Sequence, residues 1–121
     1  MTKHIAQAFV VACMDFRFQK YLHEWLATQM QDKTYDFVGY AGSTKSLDVI
    51  MSQLDISKRL HEIKEVVLIH HEDCGAYGAE STPERHATDL HKAKDVILEK
   101  YPDLQVHLLY LHLDGTFEQV V

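Results

Sequence analysis

Glu65-Val66-Val67-Leu68-Ile69-His70-His71-Glu72-Asp73-Cys74-Gly75 begins as an unbroken aliphatic run and ends in the pattern H-x-x-C-G. Four consecutive apolar residues rich in valine and isoleucine read as a strand covered on both faces, the form that strands take in a parallel sheet. An imidazole and a thiol then stand where that strand meets its loop. A second stretch repeats the arrangement: the apolar run Ala8 to Ala12 leads directly into Cys13-Met14-Asp15-Phe16-Arg17, or C-x-D-x-R. Two thiolates and one imidazole suit Zn²⁺ and leave a fourth tetrahedral position open, which is the layout of a catalytic zinc site rather than a closed structural one.

Outward from these stretches the chain alternates strand and helix. Ile5 to Ala12 is the first strand, and Arg17 to Met30 spaces Phe18, Tyr21, Leu22, Trp25, Leu26 and Met30 at helical intervals. Tyr35 to Gly39 is a short second strand. The small-residue loop Gly42 to Ser46 precedes a helix that buries Leu47, Ile50, Met51, Leu54 and Leu60, and Glu65 to His70 is the third strand. After a loop over 75–82, Thr82 before Pro83 reads as an N-cap with proline at the first helical position. That helix presents Ala87, Leu90, Ala93 and Ile97 and ends before Pro102. Leu104 to Leu113 is the fourth strand, Asp114-Gly115 a turn, and Thr116 to Val121 folds back as an antiparallel edge strand.

The pattern predicts an α/β three-layer sandwich with a mostly parallel sheet of order 2-1-3-4 and a C-terminal antiparallel edge strand. Strands one and three then lie side by side where the crossovers diverge, the switch point at which open α/β sheets bind ligands. Cys13 follows strand one, and His71 and Cys74 follow strand three. The fold and the ligand set are read from different residues and converge on one place.

The chain has 121 residues and reads as a single domain over 1–121, with 46% hydrophobic and 25% charged residues. A net charge of −6 argues against nucleic acid or an anionic membrane as partner. No apolar stretch approaches the roughly 18 to 20 residues that span a bilayer. The N-terminal run leads into Cys13 and Asp15 rather than into a cleavage site, so the expectation is a cytoplasmic protein whose only two cysteines are reduced.

Each site residue has a plainer alternative. Cys13 and Cys74 taken singly are ordinary small hydrophobes, but a thiol and an H-x-x-C at matching strand ends disfavour that reading. His70 competes with His71, and alternation along a strand lets only one of them face the metal; the compact turn to Cys74 favours His71. Asp15 and Arg17 taken alone make a surface ion pair worth about 0 to 1 kcal/mol. Beside a ligand and at a helix start, Arg17 instead holds the Asp15 carboxylate through forked hydrogen bonds and aims it.

These residues resemble the beta class of carbonic anhydrases, which carry a C-x-D-x-R and an H-x-x-C-G segment at similar separation. Tyr40-Ala41-Gly42-Ser43 is similar to that family's Ala-Gly loop, and Leu113-Asp114-Gly115-Thr116 to its closing hairpin. The resemblance implies that Cys13, His71 and Cys74 hold one Zn²⁺ per chain and that Asp15 and Arg17 are the catalytic dyad. It places the Gly75 N–H near the substrate. It implies reversible hydration of CO₂ to bicarbonate and a proton by a zinc-bound hydroxide, in a homodimer whose active site lies near the interface. His70, Glu72 and Tyr77 are candidates for the proton exit. Asp15 is also a candidate fourth zinc ligand, as in some family members.

Phe16 replaces the small residue usual between Asp and Arg in the family, which makes it a candidate substrate contact. Only twelve residues precede Cys13, so the helical arm of many members is expected to be missing. Phe16, Phe18, Trp25 and Tyr40 are candidates for the interface or pocket wall. Two alternatives accompany hydration: hydrolysis of a related heterocumulene such as COS or CS₂, and a catalytically silent zinc- and bicarbonate-binding protein. A redox thiol protein fails on spacing, since the chain has no C-x-x-C.

Overall fold

Parallel pairing between the first and third strands forms the middle of the sheet. The computed structural model describes residues 2–121. Its elements are β1 (Ala8–Ala12), α1 (Gln19–Gln29), β2 (Tyr35–Gly39), α2 (Leu47–His61), β3 (Glu65–His71), α3 (Pro83–Lys100), β4 (Gln105–Leu111) and β5 (Phe117–Gln119). The strand order is β2-β1-β3-β4-β5, with β4 and β5 antiparallel and the other pairs parallel. This is the predicted sheet, including its C-terminal edge.

Strand alternation sorts the core into two layers. Phe9, Val11, Val66 and Leu68 point toward α2 and α3, where they meet Ile50, Leu54, Leu90 and Ile97. Val10, Ala12, Val67 and Ile69 point the other way and meet Phe18, Leu22 and Leu26 of the α1 segment. Every residue of β1 and β3 is buried, which explains why both read as continuous apolar runs rather than alternating ones. Burying an aliphatic side chain of this size contributes about 1.5–3 kcal/mol, so these two layers dominate the stability.

The element ends differ from the sequence reading where local hydrogen bonds compete. β1 starts at Ala8 because the Ala6 and Gln7 amides donate instead to carbonyls of His61 and Thr34, in the loops beneath the sheet. The first helix starts as a 3₁₀ turn over Phe16–Phe18, since the Asp15 carboxylate takes the Arg17 amide and caps that turn. Thr82 caps α3 as expected, its hydroxyl accepting the Arg85 N–H at 3.1 Å, with Pro83 at the first position. In α2, Leu47, Met51 and Leu60 are half-buried, and Ser57 shares the buried face with Ile50 and Leu54. Among the described residues, no helix is long and apolar enough to cross a membrane.

The β4–β5 turn depends on Gly115, whose φ is +91° and whose Cα lies against Tyr21: an added Cβ would meet Tyr21 Cε1 at 2.6 Å. Gly115→Ala combines a strained backbone with a clash against a ring. It is expected to cost about 1–3 kcal/mol, read as a lower denaturation midpoint at unchanged slope. A midpoint equal to wild type would show that the hairpin relaxes freely.

Candidate metal centre

The carboxyl ends of β1 and β3 bring the two motifs together. Cys13, His71 and Cys74 are all buried, and their ligand atoms lie within 4.8 Å of one another. The parity of β3 decides which histidine joins them. His71 falls on the α1 side, its ring 4.1 Å from that of Phe18. His70 falls on the other side, bonded to Thr44 and His86. The His71 Nδ1–H donates to the Glu72 carbonyl at 2.7 Å, so in the neutral ring Nε2 is the lone-pair nitrogen, buried and without a hydrogen-bond partner among the described residues. A buried lone pair without a partner is costly, and here it points into a pair of thiols. Zn–S and Zn–N bonds of about 2.0–2.3 Å match a cluster of this spread. The donor set fits zinc.

The surroundings favour thiolate at Cys13. Its pKa is held well below the ordinary thiol value, chiefly by the adjacent Cys74 thiol, with His71 and the Gly42 amide adding to the effect against burial. The Gly42 N–H lies 3.4 Å from Cys13 Sγ. Gly42 has φ +79°, and a Cβ there would crowd Lys45 and Ala76 at 3.0 and 3.2 Å, so only glycine brings that amide to the sulfur. Cys74 is shifted upward by its thiol's hydrogen bond to Cys13 and by burial. Burial works against a charged His71, but the neighbouring Cys13 and the Glu72 carbonyl outweigh it and raise its pKa.

Asp15 stands at the edge of this cluster, Oδ2 3.9 Å from His71 Nε2. Arg17 grips it from one side: Nε reaches both carboxylate oxygens at 3.2 Å and Nη2 reaches Oδ2 at 2.8 Å, while the Arg17 amide donates to Oδ1 at 2.9 Å. The guanidinium keeps the Asp15 carboxyl below its ordinary range. The same guanidinium binds the Asp73 carboxylate at 3.0 Å and the Asp73 carbonyl at 2.8 Å. Arg17 thus ties the loop after β1 to the loop after β3. Asp73, with φ +57°, was not singled out in the sequence, where an acidic residue beside a ligand carries no distinct signal. Gln19 was also missed; its side chain bonds the Cys13 and Asp15 carbonyls.

A cavity of about 400 Å³ opens onto the cluster, lined by Cys13, Met14, Asp15, Phe16, Ala41, Gly75 and Ala76. Phe16 is 86% exposed, so it stands at the mouth rather than on the floor. Gly75 faces open space: a Cβ there would meet nothing within 4 Å. Phe18 is core, and Trp25 stacks on Phe117 away from the cavity. Of the proton-exit candidates, His70 is buried on the far face of β3 and the Tyr77 hydroxyl donates to Asp89. Glu72 is half-buried, accepts the Leu113 N–H and does not line the cavity.

Comparison with known proteins gives the same picture. A family model described as "Putative carbonic anhydrase" matches residues 3–121. The chain is 31% identical to an uncharacterized protein of Rickettsia conorii, over 98% of this chain and 74% of that protein. It is 39% identical to "Beta-carbonic anhydrase 1" of Mycobacterium tuberculosis, over 61% of this chain and 40% of that protein. The carbonic anhydrase of Streptococcus mutans shares the fold with a TM-score of 0.74 at 20% identity, covering 98% of this chain and 84% of that chain. The beta-carbonic anhydrase CcaA does so with a TM-score of 0.61 at 13% identity, covering 98% and 80%. The near full-length family match, the sheet shared with beta-carbonic anhydrases and the Cys-His-Cys cluster agree, and the chain belongs to the family described as putative carbonic anhydrase.

Proposed function

We propose that residues 1–121 act as one zinc domain that reversibly hydrates CO₂ to bicarbonate and a proton. The observation that carries this reading is the buried Cys13–His71–Cys74 cluster with an unpartnered Nε2 and an Arg17-held carboxylate beside it. A zinc ion bound by these three residues supplies the Lewis acidity that makes water a nucleophile near neutral pH. The chain's own groups do the rest. Cys13 arrives as a thiolate, and His71 offers the nitrogen that its Glu72 hydrogen bond keeps free. Asp15, ionised and fixed by Arg17, would accept a hydrogen bond from the attacking water and so set which lone pair faces the substrate. Engagement of both Asp15 oxygens by Arg17 would restrain the carboxylate from closing the fourth position, which supports the open form of the site. The apolar part of the cavity, from Met14, Phe16, Ala41 and Ala76, suits a small uncharged substrate, and the bare Gly75 backbone lets it approach closely.

The reading includes a homodimer in a cytoplasmic setting. Met14 and Phe16 are 66% and 86% exposed at the cavity rim, a pair of large apolar side chains suited to cover by a second copy. Both cysteines are free, and a reducing compartment keeps them available as ligands.

Purified protein is expected to contain about one zinc per chain and to hydrate CO₂ in stopped flow, with Cys74→Ala losing both. Removing zinc with a chelator is expected to abolish turnover, and adding it back to restore turnover. Zinc content without CO₂ hydration between about pH 6.5 and 9 would sink the hydratase reading, and turnover of COS or CS₂ by that sample would replace it. Asp15→Asn is expected to lower kcat by about a hundredfold or more with zinc retained; wild-type kcat in that variant would remove Asp15 from the reaction. Sedimentation velocity should show a dimer that Phe16→Ser weakens. A monomer at every concentration would exclude the shared interface.

A further inference from the structure

On the face of β3 opposite the metal cluster, four side chains form a continuous chain that the hydration chemistry does not use. Thr44 Oγ1 lies 2.7 Å from His70 Nε2, His70 Nδ1 lies 2.8 Å from His86 Nδ1, and His86 Nε2 lies 2.9 Å from Ser81 Oγ. Both imidazoles are 1% exposed. The two ends of the chain give it meaning. Ser81 Oγ accepts the backbone N–H of Cys74 at 2.8 Å. Thr44 belongs to the loop whose Gly42 N–H approaches Cys13 Sγ. The chain therefore joins the loop that contacts one thiolate to the backbone that carries the other.

Its proton order follows from donor and acceptor chemistry. Two facing Nδ1 atoms at 2.8 Å need one N–H and one lone pair, so the two rings hold opposite tautomers. The Thr44 amide N–H also points at His70 Nε2, at 3.4 Å. Two N–H groups cannot face each other, so that nitrogen presents its lone pair. His70 then carries its proton on Nδ1 and donates it to His86 Nδ1. His86 carries its own on Nε2 and donates to Ser81 Oγ. That oxygen now accepts from both His86 and the Cys74 amide, which fills its two lone pairs. Every bond runs in one direction, from Thr44 to Ser81. Packing holds the chain in place: the His86 ring lies 4.4 Å from Tyr77 and 5.6 Å from Tyr110, and the Tyr77 hydroxyl is anchored on Asp89.

We propose that the Thr44–His70–His86–Ser81 chain positions the metal centre, setting the Cys74 loop against the Cys13 loop, with His86 and Ser81 as its positioning residues. The proposal rests on the zinc reading for the role of the loops it joins. Hydrogen bonds to the groups around metal ligands typically govern affinity by about 10- to 100-fold. Here the contact is made to a ligand's backbone rather than its side chain.

Long-range ¹H–¹⁵N spectra of the metal-free chain are expected to show His70 as the Nδ1–H tautomer and His86 as the Nε2–H tautomer. The reverse order, or rings that exchange tautomers freely, would overturn the proposal. Ser81→Ala is expected to weaken zinc binding by about tenfold or more in chelator competition, and to shift the thiolate-to-metal absorption of the Co²⁺-loaded protein. Ser81→Thr, which keeps the hydroxyl, should restore both. A folded Ser81→Ala with wild-type affinity and spectrum would reduce the chain to packing and overturn the proposal. A wild-type chain that takes up zinc but does not hydrate CO₂ sinks the hydratase reading alone, and one that takes up no zinc overturns both. The tautomer order, read on metal-free protein, decides the chain separately.

Discussion

The register between β1 and β3 is the constraint from which the site follows. Ala8 pairs with Glu65, Phe9 with Val66, Val10 with Val67 and Val11 with Leu68. β1 then ends at Ala12 while β3 runs on to His71, so Cys13 on one side and His71 and Cys74 on the other come within ligand distance. Neither strand has freedom to slip. Each is buried on both faces, and a shift by one residue would send every side chain to the opposite layer. The apolar burial that stabilises the sheet therefore also sets the distance between the thiols.

That same parity gives the two adjacent histidines separate work. His71 faces the α1 layer and packs on Phe18 beside the cysteines. His70 faces the α3 layer, where burial holds its pKa down to about 3 and His86 meets it at ring distance. A neutral imidazole pair is a workable solution to buried polarity because each ring supplies what the other lacks. One strand thus presents a candidate metal ligand on one face and the buried His70–His86 pair on the other.

Charge is handled by pairing at the rim rather than by deep burial. Arg17 meets two carboxylates and a carbonyl, so it links the loops after β1 and β3 while remaining partly in water. Lysine would lack the forked geometry to make these contacts together. On the other side, Lys45 reaches the Ala76 carbonyl at 2.6 Å and lies 5.2 Å from the Tyr77 ring, pinning the segment after Cys74. The open cavity lies between these two fastenings.

The sequence alone determined the alternation of strands and helices, the sheet order, the capping of α3 at Thr82 and the convergence of Cys13, His71 and Cys74. These are properties of apolar period, crossover handedness and short motifs, which are local or follow from topology. Tertiary structure alone decided the second hold of Arg17 on Asp73, the exposure of Phe16, the removal of His70 and Tyr77 from the cavity, and the chain through His86. No spacing announces those contacts. His86 sits on a helical face among Leu90, Ala93 and Ile97, where periodicity marks a buried position but not a hydrogen-bond partner. Its partner is specified only when α3 packs across β3, because a hydrogen bond depends on the position of two groups within a few tenths of an ångström, and the one-dimensional pattern holds only one of them.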